Sequence, residues 1–361
     1  MIFKVTPNEI FFTIPTSEEL RKAEDKVADL CRERLSTIWK EDNTTRQKVS
    51  AWLDIELEKM RATGTAFHFL MLCEIVTYSR EKGYPVVALG ELSGAVISYL
   101  LSITGMIPFE YYTPEIVWGL DANPISPDCT IGIAPQVRPL LQKHLDSCYG
   151  FANCNREMFR QIPLVDLDIC AQLGVLLQDI KKYPTVGDID YIVCCHVAMD
   201  ILTAFAKERG LDIPSIEEFC QSKTWDLHTL SRLYAFTMGG FNDGSNLANL
   251  DDPKFFVTRE EFYHYLLQYN IPVNVALEII KNGVWATGSK RQKYTASLES
   301  YQVPEFVINY YSQVCNLWTM ASCVDRVLHK CYLVLLRNAL DMDGANSAVH
   351  IFHTATNRTG E

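Results

Sequence analysis

Basic charge is what this sequence most plainly lacks. Its 33 lysines and arginines stand against 44 aspartates and glutamates, which gives a formal net charge of -11 over 361 residues. Proteins that bind nucleic acid unaided usually carry a basic balance or a basic patch, and no long basic run occurs here. The composition therefore argues against strong non-specific DNA binding and leaves only weak binding of DNA as an expectation.

Long apolar segments and export signals are also missing. No run approaches the roughly 20 apolar residues of a membrane span, and Met1 is followed by a mixed segment without the apolar core of a secretory signal. The twelve cysteines include no Cys-x-x-Cys pair and no Cys/His spacing typical of zinc sites. These absences predict a cytoplasmic protein with reduced cysteines and no membrane association.

Several common catalytic motifs are absent as well. The chain contains no Gly-x-Ser-x-Gly, no Walker A sequence and no His-Glu-x-x-His. The run Cys194-Cys195-His196 could suggest thiol chemistry, but it lies in an apolar stretch. We interpret it as part of a core rather than as a catalytic site.

Apolar residues are abundant, at 48% of the chain, and their periodicity predicts an α+β protein. The first half combines helices with short strands, and the second half is mainly helical. Predicted helices cover 17–40, 45–62, 66–82, 92–103 and 136–148, with strands at 84–89 and 162–169 and a loop-and-strand region over 104–135. Beyond residue 185 the predicted helices are 188–209, 215–221, 225–236, 258–268, 272–282, 304–314 and 318–338.

One stretch in the first half carries a family resemblance. Residues 83–95 read Gly-Tyr-Pro-Val-Val-Ala-Leu-Gly-Glu-Leu-Ser-Gly-Ala and continue to Ile-Thr-Gly-Met-Ile-Pro at 103–108. This order of strand, Gly/Ser loop, helix and Ile-Thr resembles the palm of the bacterial DNA polymerase III alpha subunit of the PolC type. Six further segments follow the family in order and spacing, so that the resemblance covers about 20–336: they lie at 53–83, 127–150, 166–169, 227–240, 257–288 and 303–306.

The resemblance implies a fold and a division of the chain. It implies a nucleotidyltransferase-like palm of the Pol β type, followed by a helical half that resembles the fingers. The implied parts are a thumb-like helical lead-in over 1–82, a palm-like domain over 83–185 and a fingers-like domain over 186–340. The polar residues 341–361 are interpreted as a tail whose composition favours disorder.

The family holds its catalytic metal ions with three aspartates, two of them spaced Asp-x-Asp on one strand. The first matches Asp128 and the third matches Asp168, whereas the second falls on Thr130. A neutral hydroxyl is a poor replacement for a carboxylate that bridges two cations. Asp166 forms a new Asp-x-Asp with Asp168 and could compensate, although a local cap or ion pair is the simpler interpretation of Asp166.

The nucleotide-binding positions are altered too. In the family, a Gly/Ser loop and an arginine receive the triphosphate at a helix N-terminus. Here Gly90, Ser93 and Gly94 keep a glycine-rich turn, but the arginine position is Leu89 and the next serine position is Glu91. A tight turn would explain the glycines without any function.

The fingers positions change in the same direction. The lysine and histidine that face the nucleotide in the family become Met320 and Ser322. Arg326 is the nearby cation that could still meet a phosphate, although an exposed or paired helical arginine is the simpler interpretation.

Three hypotheses remain open at this point. The first is an inactive relative of the polymerase core, without cofactor, that binds another protein. The second is an active nucleotidyltransferase that binds Mg²⁺ through Asp128, Asp166 and Asp168 and uses deoxynucleoside triphosphates. The third is an unrelated helical interaction protein whose likeness to the family is accidental.

Overall fold

The structure is a computed structural model. It describes residues 3–13, 15–84, 86–105, 114–118, 129–149, 159–166, 186–210, 218–238, 250, 252, 254–280, 287–313, 317 and 319–340. No helix within these ranges is both long enough and apolar enough to cross a membrane.

The described part of the first half combines five strands with six helices. It begins with two short strands, which precede three long helices. The elements are β1 (Phe3–Val5), β2 (Glu9–Thr13), α1 (Ser17–Ile38), α2 (Asn43–Thr63), α3 (Ala66–Glu81), β3 (Val86–Leu89), α4 (Val96–Leu100), α5 (Pro114–Val117), β4 (Thr130–Ile133), α6 (Arg138–Tyr149) and β5 (Phe159–Asp166). Short 3₁₀ turns at Glu91–Gly94 and Pro135–Val137 precede α4 and α6.

The described part of the second half is helical. Its elements are α7 (Tyr191–Arg209), α8 (Leu227–Met238), α9 (Arg259–Leu267), α10 (Val273–Glu278), α11 (Gly288–Ser300), α12 (Glu305–Gln313) and α13 (Met320–Leu340), with a 3₁₀ turn at Val186–Asp188 before α7.

The strands form one continuous ladder in the order β1-β2-β5-β4-β3. Its central strand, β5, changes neighbour halfway along its length. Residues 159–163 pair antiparallel with β2, and residues 164–166 pair parallel with β4. β3 pairs antiparallel with β4, with Leu89 opposite Thr130. Two small sheets are therefore joined through a single strand.

Two hydrophobic cores lie on either side of the chain's midpoint. The first packs α1, α2, α3 and α4 against the sheet, and Phe12, Leu53, Phe69 and Ile75 are among its fully buried side chains. The second is built mainly from residues after 190, together with Ile116 on α5, and includes Trp225, Phe236 and Phe262. Helix α13 packs against the Glu91–Gly94 turn and against β3, so it joins the two halves.

Several predicted elements are present within a few residues of their predicted limits, notably the long helices α1, α2, α3, α7 and α13. The single helix predicted over 92–103 was wrong, because a 3₁₀ turn and the extended residue Ala95 precede a short α4. The sequence did not predict β1, β2 or α11, and α5 lies in a region predicted as loop and strand. Strand β5 is described as far as Asp166, and residues 167–169 of the predicted strand lie outside the described residues.

The described cysteines are free thiols, as the sequence predicts. Each of the nine cysteines in the described part of the chain is free, and seven of them are buried within the two cores. Burial raises the pKa of the Cys31 and Cys323 thiols well above their ordinary value, which keeps them protonated and unreactive.

Candidate functional site

The loop after β3 is the centre of the candidate site, and we call residues 90–94 the glycine loop. Gly90 adopts a φ of 102° and a ψ of 177°, which a side chain would strain. Ser93 is 1% exposed. Its hydroxyl donates to the Gly90 carbonyl at 2.6 Å, and its backbone N–H donates to the same oxygen at 3.2 Å. The Ser93 hydroxyl is thus engaged inside the loop.

The N-terminus of α4, directly after the glycine loop, is capped from another helix. Glu56 on α2 is fully buried, and its two carboxylate oxygens accept from the backbone N–H groups of Val96 at 2.9 Å and Ile97 at 2.8 Å. Free N–H groups at a helix N-terminus are the groups that bind phosphate in many proteins. At α4, a carboxylate of the chain itself takes that position.

Helix α13 lies against the other side of the glycine loop and brings a second carboxyl group to it. Asp325 is buried there, and burial raises its pKa to about 7, while the neighbouring Ser93 hydroxyl and the Arg326 charge act in the opposite direction. The Oδ2 atom of Asp325 has no hydrogen-bond partner among the described atoms. The loop is therefore in direct contact with the helix that the resemblance places across the nucleotide site.

The N-terminus of α13 is also capped by a buried carboxylate. Glu260 on α9 is almost fully buried, and its Oε2 accepts from the backbone N–H of Met320 at 2.8 Å. Thr319 accepts from the N–H of Ser322 at 3.4 Å and donates its hydroxyl proton to the Ser322 hydroxyl at 2.9 Å. Met320, at the position of the family's lysine, is buried in a small apolar cluster with Val324 and Leu328.

Arg326, predicted as a residual phosphate contact, interacts with α8. Burial raises the pKa of Tyr234, and the charge of Arg326 together with a hydrogen bond from it opposes that shift. His329, one turn along α13, is largely buried, which lowers its pKa to about 4 with help from the charges of Lys330 and Arg326. The cation at position 326 thus serves contacts within the helical half.

Only one of the three predicted metal-binding aspartates, Asp166, lies within the described residues. Asp128 and Asp168 lie outside the described residues. Asp166 is the last residue of β5, opposite Ile133 in the parallel pair with β4. Thr130, the first residue of β4, therefore lies three positions from the level of Asp166, about 10 Å along the strands at their usual rise. The role of these aspartates as metal ligands stays a prediction.

The buried carboxyl groups Glu56, Glu260 and Asp325 were missed as site residues. The signal for Glu56 was present in the sequence, since it lies three residues after Leu53 and four before Met60, on the apolar face of α2. A carboxylate on an apolar helix face needs hydrogen-bond donors from elsewhere. What the sequence could not supply was the identity of those donors, which lie 40 and 41 positions away.

A separate group of metal-ligating side chains lies outside the glycine loop. Glu74 on α3 and His144 and Cys148 on α6 place one donor atom each within 4.8 Å of one another. None of the three was predicted from the sequence.

Comparison with known proteins finds sequence similarity in the first half of the chain. Residues 25–170 match the family model of the bacterial DNA polymerase III alpha NTPase domain. A stretch of 102 residues is 28% identical to the DNA polymerase III subunit alpha of Escherichia coli O6:H1, which amounts to 27% of this chain and 8% of that protein. The chain thus spans a small part of the curated relative that it matches. These matches support a relation of residues 25–170 to the DNA polymerase III alpha family.

Proposed function

We propose that this chain is a catalytically inactive relative of the polymerase core of the DNA polymerase III alpha subunit, of the PolC type, that acts in replication by binding another protein. One observation carries this proposal. The N-termini of α4 and α13, which the resemblance places around the incoming nucleotide, are each capped by a buried carboxylate of the chain itself, Glu56 and Glu260.

Such a carboxylate opposes nucleotide binding in two ways. It takes the backbone N–H groups that would otherwise donate to a phosphate, and it adds negative charge where phosphate charge would lie. Two like charges 4 Å apart repel by about 4 kcal/mol at an effective dielectric constant of about 20. A triphosphate would also have to displace Glu56 from a fully buried position, which would leave its carboxylate without donors.

Further features support the same proposal. The buried Asp325 lies against the glycine loop from α13, and Thr130 stands where the family has a metal-bridging carboxylate. The succession of β3, glycine loop, α4, β4 and β5 supports a nucleotidyltransferase-like palm as the fold of this half. Loss of one charged contact to the transition state typically costs about 10²–10³ in rate, and several such contacts are missing together.

A protein is the partner that the charge balance favours. With a net charge of -11, the chain would be repelled by a phosphate backbone, so any DNA binding should be weak and sensitive to salt. We propose no cofactor for this function. Mg²⁺ and deoxynucleoside triphosphate belong to the alternative, an active nucleotidyltransferase that uses Asp128, Asp166 and Asp168.

The test combines binding and turnover measurements on the full chain. Isothermal titration with Mg²⁺ or Mn²⁺ plus a deoxynucleoside triphosphate should release no heat of binding, and primer extension should yield no product. A bacterial replicative polymerase assayed beside it provides the positive control. Template-dependent incorporation by the chain would overturn the proposal, and loss of that incorporation in Asp166→Asn would establish the rearranged metal site instead.

A single-residue reversion sharpens this test. Thr130→Asp restores the carboxylate at the missing family position without touching either capping glutamate. Because Glu56 and Glu260 still cap α4 and α13 in this variant, we expect no incorporation. Turnover by Thr130→Asp would show that the missing metal ligand alone, and not the capped helices, had silenced the site.

A further inference from the structure

Two helices of the first half bring three metal-ligating side chains together at the surface. His144 and Cys148 lie four residues apart on α6 and thus share one face of that helix. His144 Nε2 lies 2.6 Å from Oε1 of Glu74 on α3. Cys148 Sγ lies 3.9 Å from Nε2 and 4.0 Å from Nδ1 of the same imidazole.

We propose that Glu74, His144 and Cys148 form a zinc-binding site with one open coordination position. Thiolate, imidazole and carboxylate are the three ligand types that Zn²⁺ takes in proteins. Three protein ligands leave the fourth tetrahedral position to a water molecule or to a donor from another molecule. Cys148 is exposed, so water reaches the ion directly.

The three side chains reach the spacing of a zinc centre through local adjustments. Tetrahedral zinc with ordinary bond lengths places its sulfur and nitrogen ligands about 3.5 Å apart and its nitrogen and oxygen ligands about 3.3 Å apart. Cys148 Sγ lies 3.9 Å from Nε2 and 4.0 Å from Nδ1, beside the ring, so the exposed thiol has to turn about its Cα–Cβ bond to meet an ion bound at Nε2. The 2.6 Å His144–Glu74 contact has to open by about 0.7 Å as the ion replaces the shared proton.

The Glu74 side chain is 35% exposed and has room to move away from the imidazole. The His144 side chain is 23% exposed and keeps its place, so the carboxylate makes most of this adjustment. Zinc binding displaces the thiol proton of Cys148 to solvent, and it takes the neutral His144 imidazole with its proton on Nδ1 and with Nε2 free for the ion.

The imidazole is held in place by a neighbour on α3. The ring of Tyr78 stacks on His144 with centroids 4.0 Å apart and an interplanar angle of 17°. The Tyr78 hydroxyl donates to the Leu140 carbonyl on α6 at 3.3 Å, which ties the two helices together beside the site. The stacked ring limits rotation of the imidazole beside the site.

The experiment uses Co²⁺ as a spectroscopic substitute for Zn²⁺ on the full chain. We expect a tetrahedral cobalt spectrum with a thiolate-to-cobalt charge-transfer band, and its loss when Zn²⁺ is added. Cys148→Ser should abolish the charge-transfer band. His144→Gln and Glu74→Gln should each weaken binding by about tenfold or more.

Cys73→Ser is the matched control. Cys73 is a partly exposed thiol on α3, next to Glu74, whose Sγ contacts the Leu101 carbonyl at 3.4 Å. This variant should bind Co²⁺ as the wild type does. Zn²⁺ should raise the melting temperature of the wild type and of Cys73→Ser but not that of His144→Gln.

Two outcomes would overturn the site. One is a wild-type spectrum without a thiolate-to-cobalt band, which would leave Glu74 and His144 as an ion pair beside an unrelated thiol. The other is a Cys148→Ser variant that keeps the full cobalt spectrum. Neither readout depends on polymerase activity, so the result is independent of the proposed function.

Discussion

Asp325 is buried where helix α13 meets the glycine loop, and its carboxyl group responds to pH in an unusual range. Its pKa in the folded chain is raised to about 7 by burial, from an ordinary value of 3.8. Between these values the unfolded chain has lost the proton and the folded chain has kept it. The contribution of Asp325 to stability is therefore complete below about pH 4 and falls as the pH rises to about 7.

His329, on the same helix, acts in the opposite direction. Burial lowers its pKa to about 4, so between about pH 4 and its ordinary value of 6.5 the unfolded chain binds the additional proton. Its contribution therefore rises with pH in that window. The pH-dependent stability contributions of Asp325 and His329 have opposite signs in the wild type. A variant of one residue is therefore needed to measure the contribution of either.

We expect Asp325→Asn to be increasingly more stable than the wild type as the pH rises from 4 to 7. The amide has the same shape and does not ionise, so the gain is at most about 1.4 kcal/mol for each pH unit in this window. Urea unfolding across this range measures it. Asp29→Asn, an exposed change on α1, should follow the wild-type profile, and a pH-independent effect of Asp325→Asn would contradict the expectation.

At the scale of elements, Glu56 joins two helices that are distant in the sequence. Its carboxylate on α2 caps the first turn of α4. The N-cap residue of α4 makes no side-chain cap hydrogen bond, so Glu56 takes the role that a local side chain has in many helices. Because α4 has only five residues, its stability comes from such contacts rather than from its own propensity.

Glu56→Ala should lower the free energy of unfolding by about 3 kcal/mol, since it leaves two buried N–H groups without acceptors. Glu56→Gln keeps one acceptor oxygen and should cost less. Hydrogen exchange at Val96 and Ile97 should accelerate in Glu56→Ala. The exposed Glu58→Ala on the same helix is the control, and equal effects of the two alanine variants would refute the capping role.

Some elements could be predicted from the sequence and others could not, and the difference is whether a local apolar pattern reveals them. The long amphipathic helices carry apolar residues at helical spacing, so α1 and α2 were predictable from local pattern. Helix α11 buries only Tyr294 and Leu298 and gave no periodic signal. Strands β1 and β2 are three and five residues long; they pair with each other, and β2 also pairs with the distant strand β5.

The candidate site shows the same division. The glycine-rich turn at Gly90 could be predicted, because only glycine tolerates its φ without strain. The capping of α4 by Glu56 and of α13 by Glu260 could not, since each contact spans at least 40 positions. Local sequence predicts where a turn lies and where a helix begins. Tertiary packing determines which carboxylate accepts hydrogen bonds from the N–H groups at the helix N-terminus.

At the scale of the whole molecule, the two hydrophobic cores predict more than one unfolding step. Phe12 belongs to the core around the sheet and Phe236 to the core of the helical half, and both are fully buried. Phe12→Ala and Phe236→Ala should each cost about 4 kcal/mol in their own core. Multi-core chains commonly depart from two-state unfolding.

Scanning calorimetry measures this directly. Phe12→Ala should lower one thermal transition and Phe236→Ala the other, with the remaining transition shifted much less. If both variants shift one common transition by the same amount, the contact of α13 with the glycine loop is strong enough to make the cores unfold together.

The exchange of neighbours along β5 has a consequence for the chain as it leaves the ribosome. Strand β2 is synthesised about 150 residues before its partner segment at 159–163. At typical synthesis rates of about 5–20 residues per second, its backbone N–H and C=O groups wait roughly 8–30 seconds for that partner. During this interval β2 can pair with β1 along one edge, but its other edge and the apolar side chains of Ile10 and Phe12 still lack their partners, and such exposed segments favour aggregation.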